Sequence, residues 1–183
     1  MKGNEVAIIK KILSLLFLFV LFNGVVACSK DAVKEGIPIN EGEKVSLEDA
    51  EKLFKGYSTE LYTIKDASDP PTFDEIAKNM KVFLTDEQYK AEIDNRKYQI
   101  PELVSKQLNK SIEVKDVTLE EQSKNDDGTI DYFYTTKFKV YDGNSSKVYE
   151  KEGELTISIT NKGLKIDREW SRGVKIDGLD GGL

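Results

Sequence analysis

The chain has no histidine and a single cysteine, Cys28, among its 183 residues. Those two shortages remove whole classes of chemistry. Zinc and copper sites draw chiefly on histidine and cysteine, so no metal or cofactor is expected. Serine–histidine and cysteine–histidine nucleophile systems need an imidazole that this chain lacks. Catalysis would have to rest on Asp, Glu, Tyr, Lys or Arg, and the chain is not expected to be an enzyme. Positive charge is scarce too: 27 Lys and Arg stand against 33 Asp and Glu, a net charge of −6. Phosphate recognition needs a basic footprint, so nucleic acid is not expected as a partner. Long apolar runs are also missing. Ile12 to Phe22 is broken only by Ser14, but it stops well short of the roughly 20 residues that a membrane-spanning helix needs.

The N-terminus nevertheless carries an address. Lys2, Lys10 and Lys11 precede the short apolar core, and small residues follow it. That order describes a secretory signal over residues 1–27, and the core is too short for an uncleaved anchor helix. Removing those residues takes away three lysines and Glu5, which moves the net charge from −6 to −8. Val25-Val26-Ala27-Cys28 resembles the lipobox of bacterial lipoproteins. The resemblance implies that the Cys28 thiol receives a diacylglyceryl group with palmitate-like chains. It also implies cleavage between Ala27 and Cys28, leaving Cys28 as the first residue of the mature chain. A buried thiol or an intermolecular disulfide would not account for that position. Lipidation also removes the liability of an unpaired thiol in an exported protein. One acyl chain binds a membrane only reversibly, whereas two give durable attachment. The expected location is the extracytoplasmic face of a cell membrane. The Lys- and Ile-rich composition suggests a single-membrane, Gram-positive bacterium.

Residues 28–45 have the composition of a flexible tether, with Gly36, Pro38 and Gly42 and no sustained period. Beyond it, Ser46-Leu47-Glu48-Asp49 opens a helix in the manner of a capping box. Leu47, Ala50, Leu53, Phe54, Tyr57, Leu61 and Ile64 then recur at helical spacing, predicting an end near Lys65. Pro70-Pro71 breaks the pattern. Thr72 with Glu75, and Thr85 with Gln88, start two more helices, the second expected to bury Tyr89 and Ile93. Pro101 is expected to interrupt, with a short helical turn over Glu102 to Leu108.

From Ser111 the period changes to two. Ile112 and Val114 share one parity, Val117 and Leu119 the other, which predicts a β-bulge near Lys115-Asp116. Ile130, Tyr132, Tyr134, Thr136, Phe138 and Val140 alternate cleanly. Tyr149, Leu155, Ile157 and Ile159 mark a third strand, and Leu164, Ile166, Arg168 and Trp170 a fourth. Turns fall at Asn125–Gly128, Asp142–Asn144 and Asn161–Gly163. The first lacks the carboxylate spacing of a calcium loop. Residues 173–183 are Gly-rich and expected to be a loose tail.

Helices followed by four hairpin-linked strands predict an α+β domain over residues 46–172, with N-terminal helices packed on a four-stranded antiparallel meander. That order resembles the cystatin-like roll of the nuclear-transport-factor-2-like (NTF2-like) superfamily. The resemblance implies a cavity between sheet and helices. Tyr132, Tyr134, Phe138, Arg168 and Trp170 would then line a candidate pocket. The competing reading is a packed core with Arg168 at its rim. Ketosteroid-isomerase-like members of the superfamily use an acid and a tyrosine in that cavity. Here Asp131, Asp167 and Glu169 have outward parity, which leaves only a helix acid such as Glu92 or Asp94. The expected function is a membrane-anchored accessory module that binds another envelope protein, in assembly, immunity or exclusion. The alternative is a small-molecule binding lipoprotein that uses the cavity of the roll.

Overall fold

Three of the four α-helices among the described residues begin where a hydroxyl side chain accepts from a free backbone N–H group. The computed structural model describes residues 45–183. The expected signal, the Ala27/Cys28 cleavage and lipidation site, and tether residues 28–44 lie outside the described residues. Helix α1 spans Leu47–Tyr62, and the Ser46 hydroxyl accepts from the Asp49 N–H at 3.1 Å. Its buried face runs Ala50, Leu53, Phe54, Tyr57, Leu61 and Tyr62. It ends three residues before the expected Lys65. Ile64 is taken into an antiparallel bridge with Ile112, both N–H to O distances being 2.9 Å, and that requires extended backbone.

Helix α2, Phe73–Met80, carries the full reciprocal capping box of Thr72 and Glu75. Helix α3, Asp86–Asp94, is capped by Thr85. Its one fully buried residue is Glu92, while Tyr89 and Ile93 are only half-buried. A single 3₁₀ turn at Lys97–Gln99 leads into α4, Ile100–Leu108. Pro101 does not interrupt this helix. It sits in the first turn, where a missing N–H costs nothing.

The strands are β1 (Ser111–Lys124), β2 (Ile130–Tyr141), β3 (Ser146–Thr160) and β4 (Gly163–Ser171). They form one antiparallel sheet in the order β1-β2-β3-β4. The domain is therefore α+β, with helices followed by a four-stranded meander. The expected bulge appears in β1 between Val114 and Asp116. A further register shift lies in β4. Ile157 opposes Ile166, but Thr156 opposes Arg168, so Asp167 is the extra residue.

Helix α1 lies on the inner face of the sheet. The Phe54 and Tyr134 ring centroids are 4.5 Å apart, and those of Tyr62 and Phe138 5.0 Å. Both sheet edges are partly covered. Ile64 pairs with β1, and the α2–α3 connection pairs with β4 through Phe83, Thr85 and Ile166. Such cover blunts an edge that would otherwise template strand addition. Residues 173–183 are not a loose tail. Val174 and Leu183 exchange two backbone hydrogen bonds, and Ile176 and Leu183 are buried in the core. Two apolar anchors hold a segment whose glycines alone suggested freedom. Among the described residues, no helix is long and apolar enough to cross a membrane.

Candidate functional site

The structure divides the five residues expected to line a pocket. Tyr132, Tyr134 and Phe138 lie on the inner face and are buried. Arg168 and Trp170 do not join them. The Asp167 bulge reverses the parity of the strand beyond it, and Trp170 is 52% exposed on the opposite face. Arg168 is exposed as well, its Nε donating to the Thr156 hydroxyl at 3.3 Å. Glu169, assigned outward from the sequence, faces inward with its side chain 4% exposed. One inserted residue thus exchanges an indole for a carboxylate on the inner face.

That carboxylate belongs to a buried polar network gathered from distant parts of the chain. Helix α1 brings Tyr57 and Tyr62, α3 brings Glu92, and the 3₁₀ turn brings Lys97. The sheet supplies Tyr134, Lys151 and Glu169. Lys97 bridges the two acids, pairing with Glu169 and with Glu92 at 3.1 Å. Glu92 Oε1 also accepts from the Tyr57 hydroxyl at 2.7 Å and from Gln88 Nε2 at 3.0 Å. The Tyr134 hydroxyl donates to Glu169. Lys151 is 4% exposed and donates to the Tyr62 hydroxyl, but it forms no ion pair among the described residues. Beside it in the register, Gly153 opposes Tyr134. A Cβ at Gly153 would lie 2.7 Å from the Tyr134 ring and 2.2 Å from the Trp170 carbonyl oxygen. The glycine is what allows the tyrosine to lie flat over β3.

Charge and burial compete at each of these groups. For Glu169, burial opposes ionisation, but the Lys97 and Lys151 charges and the hydrogen bonds outweigh it and hold the carboxyl below its ordinary range. Lys97 shows the mirror case. Burial disfavours its charge, yet Glu169 and Glu92 together raise its pKa. Lys151 is pushed down to about 8, mainly by burial, with Lys97 adding repulsion. Burial and the nearby carboxylates push the Tyr57, Tyr62 and Tyr134 hydroxyls up, so all three stay neutral; Tyr57 and Tyr134 donate to carboxylates, and Tyr62 accepts from Lys151.

The sequence signal for part of this network was present. Lys151 and Gly153 share the parity of Tyr149, Leu155 and Ile157, and so belong to the inner face. The sequence marks Glu92 only as a helix acid that could reach the cavity, and nothing local marks Glu169, whose partner Lys97 lies 72 residues away. Among the described residues, six buried side-chain oxygens lack a hydrogen-bond partner, and Glu92 Oε2 is the one that belongs to this network. The remaining groups bond to one another, so the network fills the inner face and fixes its geometry. A cleft of about 350 Å³ opens elsewhere, lined by Pro70, Pro71 and Thr72 on one side and by Glu102, Ser105 and Lys106 on the other. None of the five expected pocket residues borders it. No cluster of acids or cysteine suited to a metal occurs among the described residues.

The outer face is built differently. Cross-strand register places Glu120, Phe133, Glu154 and Trp170 in one row across all four strands. Phe133 is 48% exposed and Trp170 52%. The neighbouring row on one side holds Thr118, Thr135 and Glu152, and on the other Asp131, Thr156 and Arg168. Large aromatics that stand in water on a sheet face, among charges, have no packing reason to be there.

No protein-family model matches the chain, and no curated protein matches it. Among solved structures it is similar to a periplasmic fragment of TraM, at 14% identity and a TM-score of 0.49, covering 72% of this chain and 100% of that one. It is also similar to the putative transfer protein TraH from the Gram-positive conjugative plasmid pIP501, at 18% identity and a TM-score of 0.47, covering 72% and 98%. A third similar structure is an NTF2-like protein involved in plasmid conjugation, at 9% identity and a TM-score of 0.44, covering 72% of this chain and 51% of that one.

Proposed function

We propose that this chain is a lipid-anchored, extracytoplasmic module that binds another protein of the cell envelope. The observation that carries the binding half is the exposed pair Phe133 and Trp170, set among charged and polar side chains on the outer face of the sheet. Exposed apolar surface of this kind supports a contact site. The anchoring half rests on the Val25–Cys28 run and the basic, briefly apolar segment before it. The cavity reading has less support, because the side chains meant to line a pocket either fill the inner face or point away from it.

Two measurements test the proposal. Growth with a fatty-acid probe should label the wild type, and Cys28→Ala should lose the label. Equal labelling of both would remove the anchor. A photo-crosslinking amino acid at Phe133 in the full chain, in its own membranes, should give discrete protein adducts. The same group at Lys52, on the wet face of α1, should not. Identical adduct patterns at the two positions would remove the docking face.

A further inference from the structure

We propose that the outer sheet face receives a basic protein segment, with an arginine side chain seated over Glu154 between Phe133 and Trp170. This rests on the protein-binding reading above and names the chemistry of the partner. Phe133 on β2 and Trp170 on β4 each oppose Glu154 on β3. Neighbouring strands lie about 4.8 Å apart, so the two aromatic side chains rise roughly 9–10 Å apart with the carboxylate between them. A guanidinium suits that slot. It is planar, stacks on aromatic faces and pairs with a carboxylate through two N–H donors. An ammonium would gain the charge contact without the fork.

Charge on the surrounding face selects the same occupant. Glu120 lies in the same row, and Glu152 is two residues along β3 on the same side. None of Glu120, Glu152 and Glu154 forms an ion pair among the described residues, whereas Glu150 further along pairs with Lys137 at 3.3 Å. The other charges nearby are Asp131, bonded to Thr156, and Arg168, bonded to the same threonine. Arg172 follows the end of β4 and is exposed. A second copy of this chain would bring identical carboxylates against each other, which like-charge repulsion opposes. Anionic lipid and nucleic acid meet the same repulsion. A cationic segment with apolar residues on either side meets carboxylates with charge and aromatics with area.

Trp170 is the only tryptophan, so its emission reports this slot alone. The full chain in detergent can be titrated with three heptapeptides that alternate leucine with arginine, lysine or glutamine. The arginine peptide should change Trp170 emission saturably. The lysine peptide should bind severalfold more weakly, and the glutamine peptide about tenfold more weakly or worse, as expected on losing a charged hydrogen bond. Glu154→Gln should weaken arginine-peptide binding by about tenfold and remove the preference over glutamine. Phe133→Ala should weaken it as well. Neither variant should shift the thermal melt, which shows that they fold. Equal affinity for arginine and glutamine peptides, or arginine binding untouched by Glu154→Gln, overturns the proposal. Self-association of the peptide-free chain in sedimentation, abolished by Trp170→Ala, also overturns it, in favour of a second copy. The Phe133 crosslinks separate the two readings. Adducts that persist without an arginine preference leave the docking face and remove only its basic partner. Loss of adducts removes both.

Discussion

The two faces of the sheet treat charge in opposite ways. On the inner face, the side chains of Glu92 and Glu169 are buried and Lys97 is partly so, and each finds a partner within the fold. On the outer face, Glu120, Glu152 and Glu154 stand without ion pairs among the described residues, beside aromatics that stand without cover. Lys151 apart, the inner charges are answered by the chain itself, so removing one leaves its partner short of a counter-charge in a poorly hydrated place. The outer charges are answered by water, so removing one should barely be felt by the fold. Stability should therefore depend on the inner face and association on the outer.

The largest contrast should come from paired acid deletions. Glu169→Ala takes one of the two carboxylates that Lys97 pairs with and removes the main negative charge near Lys151, and should cost up to about 3–5 kcal/mol, the range for breaking a buried pair. Glu154→Ala should stay within about 0.5 kcal/mol, as exposed substitutions do. Denaturant melts decide it, and similar losses for both would erase the distinction between the faces. The pH dependence sharpens it. The folded carboxyl of Glu169 titrates below its unfolded value. Its contribution is therefore present above the unfolded value of about 4.3 and lost as pH falls through the folded value. Glu169→Gln should flatten that acid limb.

Next in size is Lys151. Its folded pKa of about 8 lies below the unfolded value near 10.4. Between those values the unfolded state holds more protons, so stability rises with pH across that window. At pH 7 the buried charge is a full penalty, worth up to ~3 kcal/mol at ~1.4 kcal/mol per unit. Lys151→Met should therefore stabilise the fold at pH 7, and the gain should shrink as pH is raised toward 9.5. A gain that does not depend on pH would mean that packing, not charge, limits this position.

A smaller effect is expected at Gly153. Gly153→Ala drives a Cβ into the Trp170 carbonyl and the Tyr134 ring, and should cost about 1–3 kcal/mol, as overpacking does. Gly143→Ala, with open space around it, should be close to neutral by the same melts. Smallest of all is Trp170→Ala, within about 0.5 kcal/mol, because the indole stands largely in water. Its emission should be long-wavelength and readily quenched by acrylamide. A blue-shifted, protected emission would place the indole in the core.

The elements were legible where local chemistry sets them. Ser46, Thr72 and Thr85 mark helix starts because each hydroxyl answers an N–H three residues on. The bulge in β1 was legible because apolar residues on both sides of it show the change of parity. The bulge in β4 was not. Beyond Asp167 the sequence offers Glu169 and Trp170, and the hydrophobic pattern assigns the indole inward. The structure buries the acid because Lys97, Lys151 and Tyr134 wait for it, and two of those come from elements that no window around Glu169 contains. Burial driven by charge pairing is invisible to a hydrophobic period. Pro101 misled for a related reason: its effect depends on which turn of the helix it occupies, and that start was set by the 3₁₀ turn before it.

Asp167 can also be viewed as a phase element. It carries no side-chain contact that matters to either face, yet it decides which residues belong to each. Loss of that one codon would rotate the end of β4 by half a period. Glu169 would then project into solvent and Trp170 into the charged interior, disabling the network and the outer row together. A substitution at Asp167 would do neither. The position is therefore tolerant of identity and intolerant of length, and a drift in strand length here would change which side chains the outer face presents before any of them had mutated.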